Sequence, residues 1–158
     1  MKRFSIEFPD HDITIEAKLL EERAPKTCEA FWGIIEKPLH LTGKHAMYTG
    51  PEISVQLPKE LCESTNLEKF PPENQTCFPS PGDLLFTFVP EFAWKGIPQA
   101  VYDLGCFYGP EARTLFPMGW LAGNRFATVE YKDLEKIAQI GSKVLLEGQQ
   151  KLTIRRLD

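Results

Sequence analysis

Phe4, Ile6 and Phe8 alternate with Ser5 and Glu7, and after Pro9-Asp10-His11-Asp12 the two-residue period resumes as Ile13, Ile15, Ala17 and Leu19. That alternation predicts a hairpin with one buried face. The period then changes. Beyond the charged run Glu21-Glu22-Arg23, the residues Cys28, Phe31, Trp32 and Ile35 fall at i, i+3, i+4 and i+7, the apolar stripe of an amphipathic helix. Pro25 suits the first turn of that helix, where its missing N–H has no intrahelical partner to lose. The helix should stop before Pro38, because the residue ahead of a proline avoids the α region.

From Leu39 to Leu57 the pattern is strand-like but interrupted. Leu39 and Leu41, then Ala46 to Tyr48, then Ile53, Val55 and Leu57 beyond the Gly50-Pro51 turn predict two or three short strands. Residues 58 to 82 carry five prolines and little periodicity, which predicts a long loop with a helical turn near Leu61. Leu84 to Val89, Val101 to Tyr108 and Arg125 to Tyr131 read as further strands, separated by loops that hold Trp94, Phe116 and Trp120. Asp133 stands at the start of a second helix, whose stripe is Leu134, Ile137, Ala138, Gly141, Val144 and Leu145 and whose end is Gly148. Leu152 to Arg155 closes the chain as a strand. Seven or eight short strands with two widely separated helices predict a mainly β protein, a closed eight-stranded barrel in one domain spanning 1–158, with the last strand paired to the first hairpin.

Composition narrows the function classes. With 158 residues, 42% hydrophobic and 25% charged, the chain is that of an ordinary globular domain. A net charge of −4 argues against a broad phosphate-binding surface, so no nucleic acid partner is expected. The absence of a long apolar span predicts no membrane crossing, and a strand pattern directly after Met1-Lys2-Arg3 predicts cytoplasmic residence. Cys28, Cys62, Cys77 and Cys106 form no Cys-x-x-Cys pair and read as buried structural thiols.

The stretches Ala24-Pro25-Lys26-Thr27-Cys28-Glu29-Ala30-Phe31-Trp32, His45-Ala46-Met47-Tyr48-Thr49-Gly50-Pro51-Glu52, Glu73-Asn74-Gln75-Thr76, Pro79-Ser80-Pro81-Gly82-Asp83-Leu84-Leu85-Phe86 and Phe107-Tyr108-Gly109 resemble an uncharacterised bacterial family of unknown function with a cyclophilin-like fold. The first of them is also similar to the start of the cyclophilins themselves. The resemblance implies an eight-stranded barrel with two helices. A cyclophilin isomerase would further imply an arginine in a Phe-His-Arg setting soon after the first helix, and a Gln-Gly-Gly after it. Here no arginine lies between Arg23 and Arg113, and Gly50-Pro51-Glu52-Ile53 stands where that second motif would be. Lys44 beside His45 brings a positive charge, but an ammonium cannot copy the planar donor fork of a guanidinium.

Candidate chemistry gathers in the Gly- and Pro-punctuated middle, where loops at barrel ends hold ligands. His45 is a candidate general base or ligand with Glu52 to orient it, or else a histidine bonded into the barrel rim. Tyr48, Gln75, Thr76, Tyr108 and Arg113 are the candidate ligand-binding residues, Arg125 a weaker one, with Arg113 suited to pair with a carboxylate. His11, His40 and His45 form no metal cluster in sequence, and Asp103 with Glu52 or Glu130 as oxygen ligands carries no spacing signal. No metal or cofactor is therefore expected. The expected function is binding, with or without processing, of a small polar or carboxylate-bearing metabolite. The alternative is a peptide-binding module or residual peptidyl-prolyl isomerase in the same groove. Phe92, Trp94, Phe116 and Trp120 are pocket walls or the contacts of a homo-oligomer.

Overall fold

The computed structural model describes residues 1–157. Strands β1 (Arg3–Phe8) and β2 (Ile13–Leu19) form the expected hairpin around a 3-10 turn at Pro9–His11, which Asp12 leaves at φ 51°. Aspartate tolerates that left-handed conformation because its short side chain can bond locally. Helix α1 (Pro25–Ile34) begins on Pro25 and stops short of Pro38. Its buried face is Cys28, Phe31 and Ile34, with Ile35 just beyond it. Trp32, expected in that stripe, is half-buried beneath the Arg156 guanidinium, 4.5 Å from the ring centroid.

Between 39 and 57 stand two strands, β3 (Leu39–His45) and β4 (Glu52–Gln56). Ala46 to Tyr48 is not a strand but part of the turn between them. Gly50 at φ 90° reverses the chain there, and the Ala46 N–H donates to the Glu52 carbonyl at 3.0 Å. The stretch from 58 to 82 is more structured than its prolines suggest, with helix α2 (Lys59–Ser64), a 3-10 turn at Leu67–Lys69 and the short strand β5 (Gln75–Thr76). Then follow β6 (Asp83–Val89), β7 (Val101–Phe107), the small hairpin β8 (Leu115–Phe116) and β9 (Gly119–Trp120), β10 (Gly123–Val129), helix α3 (Leu134–Glu147) and β11 (Gln150–Leu157).

Eight of these strands close into an antiparallel barrel in the order β2-β1-β11-β3-β4-β7-β6-β10, and β10 returns to β2 through Ala127↔Leu19 to Val129↔Ala17. The last strand does pair with the first hairpin, from Arg3↔Leu157 to Glu7↔Thr153. Inside lie the alternating residues the sequence marks out: Ile6, Ile15, Ile53, Leu84, Leu104 and Ile154 among them. A bulge in β10 between Arg125 and Ala127 inserts Phe126, whose ring meets Phe31 at 4.8 Å while Phe31 meets Phe4 at 5.0 Å. Thus α1 caps the end of the barrel where β2 finishes.

Helix α3 caps the end where β2 begins, packing on β2, β3 and β4 and tied by Lys136 Nζ to the Thr14 carbonyl at 3.3 Å. Its buried stripe is Ile137, Ile140, Gly141 and Val144. Leu145, expected in that stripe, faces solvent at 58% exposure, one position round the helix from Val144. Asp133 does not cap α3 with its carboxylate. Instead it accepts from the Glu16 N–H at 2.8 Å and pairs with Lys136 at 2.7 Å, fastening the helix to β2. No helix among the described residues is long and apolar enough to cross a membrane.

Gly141 is where α3 meets the site described below: a Cβ there would overlap the Tyr108 ring. In an exposed helix interior Gly→Ala would gain about 1 kcal/mol. Here overpacking, at about 1–3 kcal/mol, outweighs that gain. Gly141→Ala should therefore lower stability in urea denaturation, and the same change in a Tyr108→Ala background should raise it. Stabilisation in the wild-type background would contradict this packing.

Candidate functional site

An antiparallel barrel wall normally alternates between a dry inner face and a wet outer one. Strands β6 and β7 do not: Leu84, Phe86, Leu104 and Cys106 are buried on the inside, while Leu85, Asp103, Gly105 and Phe107 are buried on the outside. Three excursions roof that outer face: the turn 46–51, the turn 90–100, and the segment 108–122 that carries β8 and β9. Backbone bonds brace them, between the first and third excursions, out to Cys77 and within the second. Arg113 N–H donates to the Thr49 carbonyl at 3.1 Å, Thr114 N–H to Cys77 at 2.9 Å, and Phe92 N–H to Ile97 at 2.8 Å.

Beneath the roof, two acids on adjacent strands meet. Glu52 and Ser54 point outward from β4, and Asp103 and Gly105 outward from β7, with Ser54 opposite Gly105. Gly105 has no side chain to fill the space above it, and Glu52 occupies that space; a Cβ on Gly105 would lie 2.5 Å from Glu52 Oε1. The Glu52 carboxyl is thereby brought beside the Asp103 carboxyl. Each also accepts a hydroxyl proton, Glu52 from Thr49 and Asp103 from Ser54. Only 3% of Glu52 and 8% of Asp103 is exposed, and among the described residues no basic group lies within salt-bridge distance of either.

Two ionised carboxylates are both acceptors and repel each other, so their proximity in a dry setting favours keeping a proton on one of them. Burial, and then the neighbouring Asp103 charge, raise Glu52 well above the usual carboxylate range; burial pushes Asp103 up to about 6. The two acids titrate as a pair, and between their two steps the pair holds one proton and one negative charge. Burial, followed by the two acids, also raises the Cys106 thiol behind them.

His45, the last residue of β3, stands beside this pair with an assignable tautomer. Its Nδ1 lies 2.9 Å from the Ala46 carbonyl, which can only accept, so Nδ1 carries the hydrogen. Nε2 then accepts from the Tyr108 hydroxyl at 2.7 Å. Burial raises Tyr108, keeping it a phenol able to donate, and its ring rests on Gly141 of α3.

The acids and His45 open into a cavity of about 220 Å³. Its walls are mainly apolar: Trp94 stands edge-on to Tyr48 at 6.0 Å and near-parallel to Phe116 at 6.4 Å, with Val89 and Ile97 alongside. Lys44 reaches its rim from an exposed position.

Of the residues singled out in the sequence, His45, Glu52 and Tyr48 line this cavity, and Tyr108 lies behind His45. The others lie elsewhere. Gln75 and Thr76 form β5, paired with Asn124 and Gly123 of β10; Gln75 borders a separate cleft and Thr76 Oγ1 accepts from the Phe78 N–H at 3.0 Å. Arg113 is exposed and contributes its backbone rather than its guanidinium. Arg125 pairs with Asp83 at 2.5 Å. The histidines go to separate partners, His11 to Gln150 and His40 to Thr153, and among the described residues no three metal-binding side chains cluster. All four cysteines are free, with burial pushing Cys28 and Cys62 up to about 12. Sequence reasoning named Asp103 beside Glu52 only as oxygen ligands without a spacing signal, and missed Thr49 and Ser54 altogether. The available signal was an acid at the centre of the otherwise apolar run Val101 to Phe107.

Fold and site together define an antiparallel barrel with a small roofed pocket on its outer wall. The chain belongs to a family described as protein of unknown function (DUF3830), whose model matches residues 6–155. No curated protein matches it. Among solved structures it is similar to that of McbB in complex with tryptophan, with a TM-score of 0.72 and 18% identity over 96% of this chain and 44% of that one. The chain thus spans less than half the length of that protein, and the likeness is one of fold.

The raised carboxyls set a pH dependence. A carboxyl whose pKa is raised by folding contributes stability that is fully present below its unfolded value, about 4, and is lost as pH rises through the folded value. Glu52→Gln keeps the shape, lets an amide donate to Asp103 and removes the Glu52 share of the linkage. It should be more stable than wild type at pH 8 and little changed at pH 4.5, read from urea midpoints at both pH values. An equal effect at both would show that folding does not raise Glu52.

Proposed function

We propose that this chain is a small-molecule-binding barrel whose ligand occupies the outer-wall pocket. The ligand's apolar body lies against Trp94 and Phe116, and its polar end meets Glu52, Asp103 and His45. The observation that carries this reading is a largely apolar cavity ending on buried polar groups, the usual form of a ligand site. Its 220 Å³ falls below the range of about 300–1,000 Å³ typical of drug-sized ligands, which suits a molecule of one ring. McbB, the solved protein of similar fold, is in complex with tryptophan, a small molecule with an aromatic body, and this supports the same reading. A carboxylate-bearing ligand is less well served than a neutral or cationic one, because Arg113 lies outside the lining and Lys44 is its one ammonium.

The barrel with α1 and α3 at its ends, together with the Ala24 to Trp32 helix start, supports kinship with the cyclophilin-like proteins. Isomerase activity is a separate matter. The pocket lining contains no guanidinium to hold a twisting proline peptide, so proline peptides should isomerise at their uncatalysed rate in the presence of this protein.

A thermal-shift panel of single-ring amphipathic compounds tests the pocket. A ligand at a hundred times its Kd adds about 2.7 kcal/mol. For a domain of this size that is a rise in Tm of about 5–10 °C. The rise should disappear in Trp94→Ala; no rise across the panel, or one unchanged in that variant, removes the reading.

A further inference from the structure

We infer that the polar end of the ligand is a protonated amine, seated on the Glu52 and Asp103 carboxyls at the base of the pocket; the inference rests on the pocket reading above. Hydrogen-bonding capacity supports it. Thr49 and Ser54 each occupy one carboxyl oxygen, yet each ionised carboxyl offers about four lone-pair sites. What remains is acceptor capacity, and an ammonium brings three donors and nothing but donors.

Charge points the same way. The pair carries a buried negative charge with no basic partner at salt-bridge distance among the described residues, the situation in which a buried charge is most costly. The groups facing it do not supply one. From β3 come His45, whose Nε2 is already occupied by Tyr108, and Lys44, held at the exposed rim. The turn 46–51 adds Tyr48, and β7 adds Cys106 behind the pair. The turn 90–100 and β8 contribute Trp94, Ile97 and Phe116, with no titratable group in the lining.

The walls suit a cation as well. Tyr48 and Trp94 line the same cavity as the acids, and aromatic rings attract ammonium groups that come within about 6 Å of a ring centroid. A carboxylate in the same seat would be a third acid against two. A metal ion would find two carboxyls, fewer than the oxygen set of a hard cation.

The test uses three probes that share a phenylethyl body: phenethylamine, 2-phenylethanol and 3-phenylpropionate, titrated calorimetrically at pH 8, where the amine is protonated and the propionate ionised. The amine should bind at least tenfold tighter than the alcohol, and the carboxylate weakest. Replacing one acid leaves the other free to ionise, so the decisive variant is the double change Glu52→Gln with Asp103→Asn, checked for native near-UV circular dichroism. In it the amine's advantage over the alcohol should shrink to within about threefold. The carboxylate binding as tightly as the amine in the wild-type protein overturns the inference with no variant needed, as does an amine preference that survives in the folded double variant. If the alcohol binds and the amine gains nothing over it, the pocket stands and the amine assignment falls; if none of the three binds, both fall.

Discussion

The outer face of β6 and β7 is buried as thoroughly as the barrel interior, and the site follows from that. A sheet with one wet face needs no polar arrangement beyond solvent; a sheet dry on both faces must satisfy every polar side chain internally. The excursions that roof β6 and β7 exclude water from Asp103 and Glu52, and exclusion is what raises both acids and favours a proton on one of them. Were the 90–100 and 108–122 segments ordinary short turns, the same two residues would be solvated surface acids with ordinary titration.

Within the roofed area a single glycine sets the geometry. Glu52 stands opposite Phe107 and Asp103 opposite Gln56, so the acids are separated along the ladder by the Ser54 and Gly105 pair. They meet because Gly105 vacates the intervening volume and Ser54 contributes a short hydroxyl rather than bulk. An alanine at 105 would press on a carboxyl already held at its far end by Thr49, leaving it little room to retreat. The turn that carries Thr49 is anchored in turn by Arg113, so the residue that looked like a ligand-binding cation acts through its backbone.

The barrel was legible because its determinants are periodic. Phe4 to Leu19 keeps strict alternation, and the residues it marks are the ones that fill the interior. Pro25 and the spacing of Cys28 and Phe31 locate α1. The small hairpin β8–β9 and strand β5 escaped, since two-residue elements carry too little of any period, while α2 was legible only as a helical turn near Leu61. The site was half legible for a related reason. His45, Tyr48 and Glu52 are close in sequence and stay close in space. Their other neighbours are Asp103 and Trp94, brought in by strand pairing and by loop packing, and no local spacing records either. Gln75, Thr76 and Arg113 look similar to true site residues in composition, and only the pairing of β5 with β10 and the course of the 108–122 segment separate them from it.

The same distinction explains why Tyr108 belongs to the site although it does not line it. Tyr108 donates its hydroxyl hydrogen to His45 Nε2, which carries no hydrogen because the Ala46 carbonyl holds the proton on Nδ1. Its ring leans on Gly141, which places α3 one contact away from the imidazole. Helix position, phenol and imidazole therefore form a chain in which each group is set by packing rather than by charge. The acid pair is set by exclusion of water. A pocket whose two polar walls are held by independent means keeps His45 in place whether or not the carboxyls carry a proton, because nothing in the first arrangement depends on the charge state of the second.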